Sequence, residues 1–162
     1  MSRATPNEED DHEPRINPWA AAPQLLNQMV DYSKAVEAAG LEKSLLELVK
    51  VRASQINGCA ICLHMHADEA RQHGETEDRI LMLGAWDEAG LYTAREKAAL
   101  AWTEVLTRLT DTHAPDQAYQ AAKAEFSDEE LVKLTVMITV INSWNRIGVG
   151  FRLAPVTLKK AA

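Results

Sequence analysis

Four residues combine types and spacing that could do chemistry: Glu47, Cys59, Cys62 and His66, within ELVKVRASQINGCAICLHMH. The chain has only two cysteines, and they stand three residues apart. One pair cannot build a disulfide scaffold, so redox or metal chemistry is the expectation. At a helix start, residues three apart share a face, with Cα atoms about 5–5.5 Å apart, inside the range a disulfide spans. His66 follows Cys62 by four residues and Cys59 by seven, so the same stripe holds two thiols and an imidazole. Glu47 comes from the preceding helix and can fold back opposite the thiols.

Each type has a definite use. The thiolate, not the thiol, is the nucleophile, and its pKa of about 8.5 must fall to give a useful fraction at neutral pH. Free amides at a helix N-terminus favour the anion, and so does a protonated His66. A carboxylate beside a thiolate works in the opposite sense, so Glu47 makes sense as a proton acceptor or relay. The second cysteine resolves a sulfenic acid into a disulfide before further oxidation. The same four side chains are also competent zinc ligands. However, cysteine-rich zinc sites normally draw on two separate knuckles, while three of these residues share one helix.

Positioning these groups requires helices. Leu25, Leu26, Met29, Val30 and Val36 give a first helix from Pro23 toward Gly40, and Leu45 to Ala53 mark a second over about 42–56. Asn57-Gly58 stops it, since both residues tolerate left-handed backbone angles. A third helix runs from the cysteines to near Gly74, and a short fourth from Thr76 to before Gly84. Thr93-Ala-Arg-Glu96 and Ser127-Asp-Glu-Glu130 are capping boxes that open two later helices, with a shorter one from Pro115 to about Glu125 between them. Val, Ile and Thr over 131–141 would suit a strand, but the capping box and unbroken length to about Val149 favour a buried helix. The class is all-α. Residues 1–16 read as a flexible acidic arm, and 17–162 as one helical domain. Glu-Leu-Val-Lys at 47–50 and 130–133, and Ile-Asn at 56–57 and 141–142, hint at a duplicated helical hairpin.

The 162 residues carry 17 basic and 24 acidic side chains, a net charge of -7. That balance argues against nucleic acid or an anionic membrane as partner. No secretory or membrane-spanning pattern is present, so the expected compartment is the cytoplasm, where thiols stay reduced. No Gly-rich phosphate loop or dinucleotide fingerprint implies a cofactor. His64 and the acidic run 8–11 read as surface, His73 as a helix C-terminal charge, and Trp86, Trp102 and Trp144 as fillers. The polar cluster Asn142-Ser-Trp-Asn-Arg146 can line a pocket or an interface, or be buried with its hydrogen bonds satisfied, and the sequence favours none of these.

The spacing Glu-x11-Cys-x2-Cys-x3-His, with INGCAICLHMHADEARQHGETEDRI, EKAALAWTEVLTRL and INSWNRIGVGFR, resembles the AhpD-like alkylhydroperoxidases of the carboxymuconolactone decarboxylase superfamily. The likeness covers about 17–152. It implies a helical bundle with a duplicated hairpin core, a homo-oligomer (trimer or hexamer), and thiol-dependent reduction of hydroperoxides at the expense of an external dithiol or protein reductant. By position it makes Cys62 the peroxidatic cysteine, Cys59 the proton donor and resolving thiol, and Glu47 and His66 the relay. Helix-end reasoning alone nominates Cys59 as nucleophile. The founding members carry a histidine directly before the second cysteine, where this chain has Ile61. Decarboxylase members lack the cysteine pair. Two alternatives come from other classes: a CxxC disulfide oxidoreductase acting on a dithiol partner, and a non-enzymatic metal-binding oligomer.

Overall fold

A computed structural model describes residues 13–155, and among them every regular element is helical. The first twelve residues of the expected arm lie outside the described part. Of its remainder, Arg15 donates from its backbone to Phe151 O at 3.0 Å and from its guanidinium to Gly150 O at 3.1 Å.

Helix α1 (Pro18–Ala21) is a single turn capped by Asn17, and α2 (Pro23–Glu37) follows with proline at its start. Helix α3 (Lys43–Asn57) ends where Gly58 takes φ 65° and ψ 34°. That left-handed residue turns the chain so that Cys59 N–H donates to Ser54 O at 3.0 Å and α4 (Ala60–Gln72) folds back on α3. Helix α5 (Glu77–Leu81) passes into a 3-10 turn over Met82–Ala85, so the fourth expected helix changes type before Gly84. Helix α6 (Ala94–Thr107) and the single turn α7 (Leu109–Thr112) precede α8 (Asp116–Glu125) and α9 (Asp128–Gly150). Both expected capping boxes are formed in full.

The 131–141 stretch lies inside one continuous 23-residue helix, α9. Its β-branched residues do not set the outcome because Leu134, Met137, Ile138 and Ile141 are all buried. The helical period places these four on the core side of α9.

Helix α3 is the hub, packing on α4, α6 and α9. One core joins Leu45, Leu46 and Val49 of α3 to Ala99 and Trp102 of α6 and Leu134 and Ile138 of α9. A second joins Leu48 and Val51 to Leu83, Tyr92 and Leu100. The central helix is therefore buried on most of its sides, Glu47, Lys50 and Ser54 included. Helices α3 and α9, which carry the repeated Ile-Asn, lie together, and Asn57 Nδ2 donates to Asn142 Oδ1 at 3.0 Å. No helix among the described residues is long and apolar enough to cross a membrane.

Candidate active site

The α3–α4 turn fixes both thiols. Cys59 is the N-cap of α4 and Cys62 lies in its first turn, both free and buried, with sulfurs 2.7 Å apart. They sit in a small apolar cluster with Ala53 and Ile141, backed by Ile61 and Trp144. Helix α9 closes this cluster by offering Gly148. A Cβ there would stand 2.7 Å from Cys59 Sγ and 3.2 Å from Ile61 Cγ2. The backbone of α9 therefore lies directly against the sulfur, which only glycine allows.

The two thiols are electrically unequal. Hydrogen bonding with Cys62 lowers the Cys59 thiol to about 7 against the opposing effect of burial, helped by the Cys62 peptide N–H, the Asn145 amide and the charge of His66. The Cys62 thiol is pushed up, first by its hydrogen bond with Cys59 and then by burial. The first proton to leave the pair therefore comes from Cys59, and the other stays on Cys62.

The other two predicted residues meet each other one turn further along α4. Glu47 and His66 are both buried, with Glu47 Oε2 3.3 Å from His66 Nδ1. That oxygen makes no hydrogen bond. The nearer acceptor of His66 is Glu69, whose Oε2 lies 2.8 Å from Nδ1. Lys50 completes the group, with Nζ 2.6 Å from Glu47, 2.9 Å from Glu37 and 3.7 Å from Glu69. Burial opposes charge on His66, and the flanking Glu47 and Glu69 outweigh it, raising its pKa. Burial likewise opposes charge on Lys50, and Glu47 and Glu37 outweigh it. The His66 contact in turn lowers the Glu69 carboxyl.

The four predicted residues therefore form two contacts, a sulfur pair and a carboxylate–imidazole pair, joined by the α4 turn from Cys62 to His66. Glu47, His66 and Glu69 place three metal-competent atoms within 4.8 Å of one another. The Lys50 ammonium already supplies that cluster with a cation. The sulfurs are not in it, so the four-residue zinc set conceived from sequence is not gathered among the described residues.

A cavity of about 260 Å³ adjoins the second contact. His66, Glu69, Lys50 and Glu37 line its polar side, and Val30, Met65, Val140, Ile141 and Trp144 its apolar side. Trp144 is more than a filler: it bounds the cavity, stacks on Trp19 and donates from Nε1 to Ser33 at 2.8 Å.

The family model of the carboxymuconolactone decarboxylase family matches residues 23–105, from the start of α2 to the last turn of α6. The chain belongs to that family. Within it, the likeness is to the AhpD-like proteins. A crystal structure of an Agrobacterium tumefaciens protein of unknown function, described as a candidate AhpD antioxidant defence protein, superposes with a TM-score of 0.86. It is 44% identical over 89% of this chain and 99% of its own. The uncharacterized protein YdfG of Bacillus subtilis is 39% identical over 83% of this chain and 92% of its own. The alkyl hydroperoxide reductase AhpD of Hyphomonas neptunium is 40% identical over a shorter stretch, 38% of this chain and 36% of that protein.

This AhpD-like site contains residues that sequence reasoning passed over. Glu69 and Lys50 are one turn from His66 and Glu47, and in sequence they look like ordinary helix-surface charges. Gly148 carried a weak signal, a glycine inside a helical pattern, which costs helix stability and so points to a packing reason. Ile61 packs apolar atoms toward Gly148.

Proposed function

We propose that this AhpD-like protein is a thiol peroxidase that reduces organic hydroperoxides and is recycled by an external dithiol. The observation that carries the reading is the sulfur contact, two buried free thiols 2.7 Å apart with one lowered to about 7. Beside it stands an imidazole whose raised pKa keeps it a proton donor.

In the proposed cycle the proton shared by the sulfurs moves from Cys62 to Cys59, and Cys62 becomes the nucleophile. It forms an S–O bond to the terminal peroxide oxygen as the O–O bond breaks, giving Cys62 sulfenic acid. The departing alkoxide takes a proton from Cys59 or from His66, leaving as the alcohol. Cys59 then attacks the sulfenic sulfur, and the hydroxide that leaves is protonated to water through His66 and Glu47. Two thiols supply the two electrons, and a dithiol returns them by exchange. The cavity's apolar wall suits the carbon body of an organic hydroperoxide. Assembly as a homo-oligomer belongs to the same proposal.

The test is stopped-flow reaction of the reduced protein with cumene hydroperoxide, together with sulfenic-acid trapping. Wild-type thiols should react orders of magnitude faster than free cysteine, and Cys59→Ser should accumulate the adduct on Cys62. Reaction no faster than free cysteine overturns the peroxidase and leaves disulfide exchange. An adduct on Cys59 in Cys62→Ser at undiminished rate overturns the order of attack.

A further inference from the structure

Asn145, within the polar cluster at 142–146, has no part in the cycle above, yet it stands one turn of α9 from the sulfur contact at Gly148. Asn145 is 1% exposed, and its amide is held from both ends. Its Oδ1 accepts from Asn57 Nδ2 at 2.9 Å, and its Nδ2 donates to Ser54 Oγ at 2.9 Å. Ser54 spends its own hydroxyl proton on Lys50 O at 2.7 Å. The opposite amide orientation would set Nδ2 against the Asn57 donor and Oδ1 against an oxygen with no proton left, so only one orientation satisfies all partners. A carboxamide nitrogen has two N–H bonds, and one remains after Ser54. One turn on, Gly148 lies against Cys59, so the same face of α9 carries the free N–H and the sulfur contact.

We infer that Asn145 is a thiolate-binding residue: its second amide N–H donates to the CxxC sulfurs and stabilises whichever of them carries the negative charge. The Asn145 amide lowers the thiols of both Cys59 and Cys62, as a donor shared by the pair must. Buried amide donors aimed at an anion act in low dielectric and need no reorganisation when the charge moves between the sulfurs. The same bond makes the sulfur a better leaving group when the disulfide is reduced. One member of the cluster that the sequence left open, Asn145, is thereby assigned to the reactive pair.

This inference rests on the CxxC pair being the reactive centre, but its test reads ionisation rather than turnover, so failure of the peroxidase reading leaves it standing. Thiolate absorbance at 240 nm is followed with pH in wild type, Asn145→Leu and Asn145→Asp, with a Cys59→Ser variant to assign the step. Leu keeps the volume and removes the donor. Asp keeps the shape and replaces the donor with an acceptor. The wild-type midpoint is expected near the value of about 7 for Cys59. Asn145→Leu should move it up, cutting the thiolate fraction at pH 7 about fivefold for a rise of one unit, and Asn145→Asp should move it further. A residue that only fills space would leave the midpoint in place in both folded variants, and that result overturns the inference. Should either variant fail to fold, the side-chain amide resonances of wild-type Asn145 decide. One of the two protons should shift with the thiol midpoint, and no shift in either overturns the assignment.

Discussion

Gly148→Ala probes the closest contact in the site. The new Cβ would lie 2.7 Å from Cys59 Sγ and 3.8 Å from Cys62 Sγ. Non-bonded heavy atoms rest at about 3.5–4 Å, so the Cys59 sulfur or α9 must give by about 1 Å. Cys59 cannot retreat with its backbone, because its N–H is tied to Ser54 O and its carbonyl accepts from Leu63 N–H. Overpacking of this kind costs about 1–3 kcal/mol, while alanine in a helix interior gains about 1 kcal/mol over glycine. The net change of about 0–2 kcal/mol is too blunt to test the contact by itself.

A double-mutant cycle sharpens it. In a Cys59→Ala background the sulfur is gone and the Ile61 Cγ2 contact at 3.2 Å is the tightest left, so Gly148→Ala should range from neutral to stabilising by about 1 kcal/mol through helix propensity. The coupling between the two sites is then about 1–3 kcal/mol, read from urea denaturation of the four proteins under reducing conditions. Gly148→Ala should also slow diamide-driven disulfide formation, because displacing one sulfur opens the 2.7 Å contact. Additivity within about 0.5 kcal/mol, with unchanged disulfide kinetics, would refute the account of α9 as the wall against which the pair is set.

Two other outcomes follow from the charge cluster. Lys50→Met removes the ammonium shared by Glu47, Glu37 and Glu69, and stranding buried Glu47 should destabilise the fold by about 3–5 kcal/mol in urea; Glu37→Gln, which strands no buried charge, should cost far less, and equal losses would sink the argument. The His66–Glu69 contact predicts a signed pH dependence. His66 is raised, so its stabilisation is complete below its ordinary value near 6.5 and is lost as pH climbs through the higher folded value. Glu69 is lowered, so its share is present above its ordinary value near 4.5 and is lost as pH falls through the lower folded one. The stability gap between wild type and Glu69→Gln should therefore be widest between about pH 4.5 and 6.5 and narrow on both sides. A gap flat from pH 3 to 9 would show that the contact carries no net charge pairing.

Most helices were legible because their signals are local. Asn57-Gly58 stops α3, Thr93 and Ser127 cap α6 and α9, and Pro115 precedes α8. The one-turn helices α1 and α7 were not, since four residues contain no period to read. The cysteines, Glu47 and His66 were legible through spacing, but their pairing was not. Whether Glu47 turns toward sulfur, imidazole or ammonium depends on where α3 and α4 cross. Lys50 illustrates the limit: a lysine on a helix is normally solvated, and its burial here follows from α2 and α4 closing over it with Glu37 and Glu69. Asn145 was visible as a polar residue in an apolar helix, but its partners Ser54 and Asn57 lie about ninety residues earlier in the chain.

The division of the site into two contacts has an electrostatic reason. A thiolate near neutral pH cannot tolerate a bare carboxylate cluster at close range, and Glu37, Glu47 and Glu69 would form one. Lys50, and His66 when it is protonated, offset two of those three negative charges, while the sulfurs draw on neutral donors: each other, the α4 amide and Asn145. Lowering one thiol to about 7 and raising the imidazole open a common pH range in which both a thiolate and an imidazolium exist. For the proposed reaction the first supplies the nucleophile, once the shared proton has passed from Cys62 to Cys59, and the second is the acid. Had both been placed in one contact, the imidazolium would have surrendered its proton to the thiolate or been locked against it as an ion pair. One helical turn of α4, with Ile141 beside both, keeps the proton donor near enough to act and far enough to stay charged.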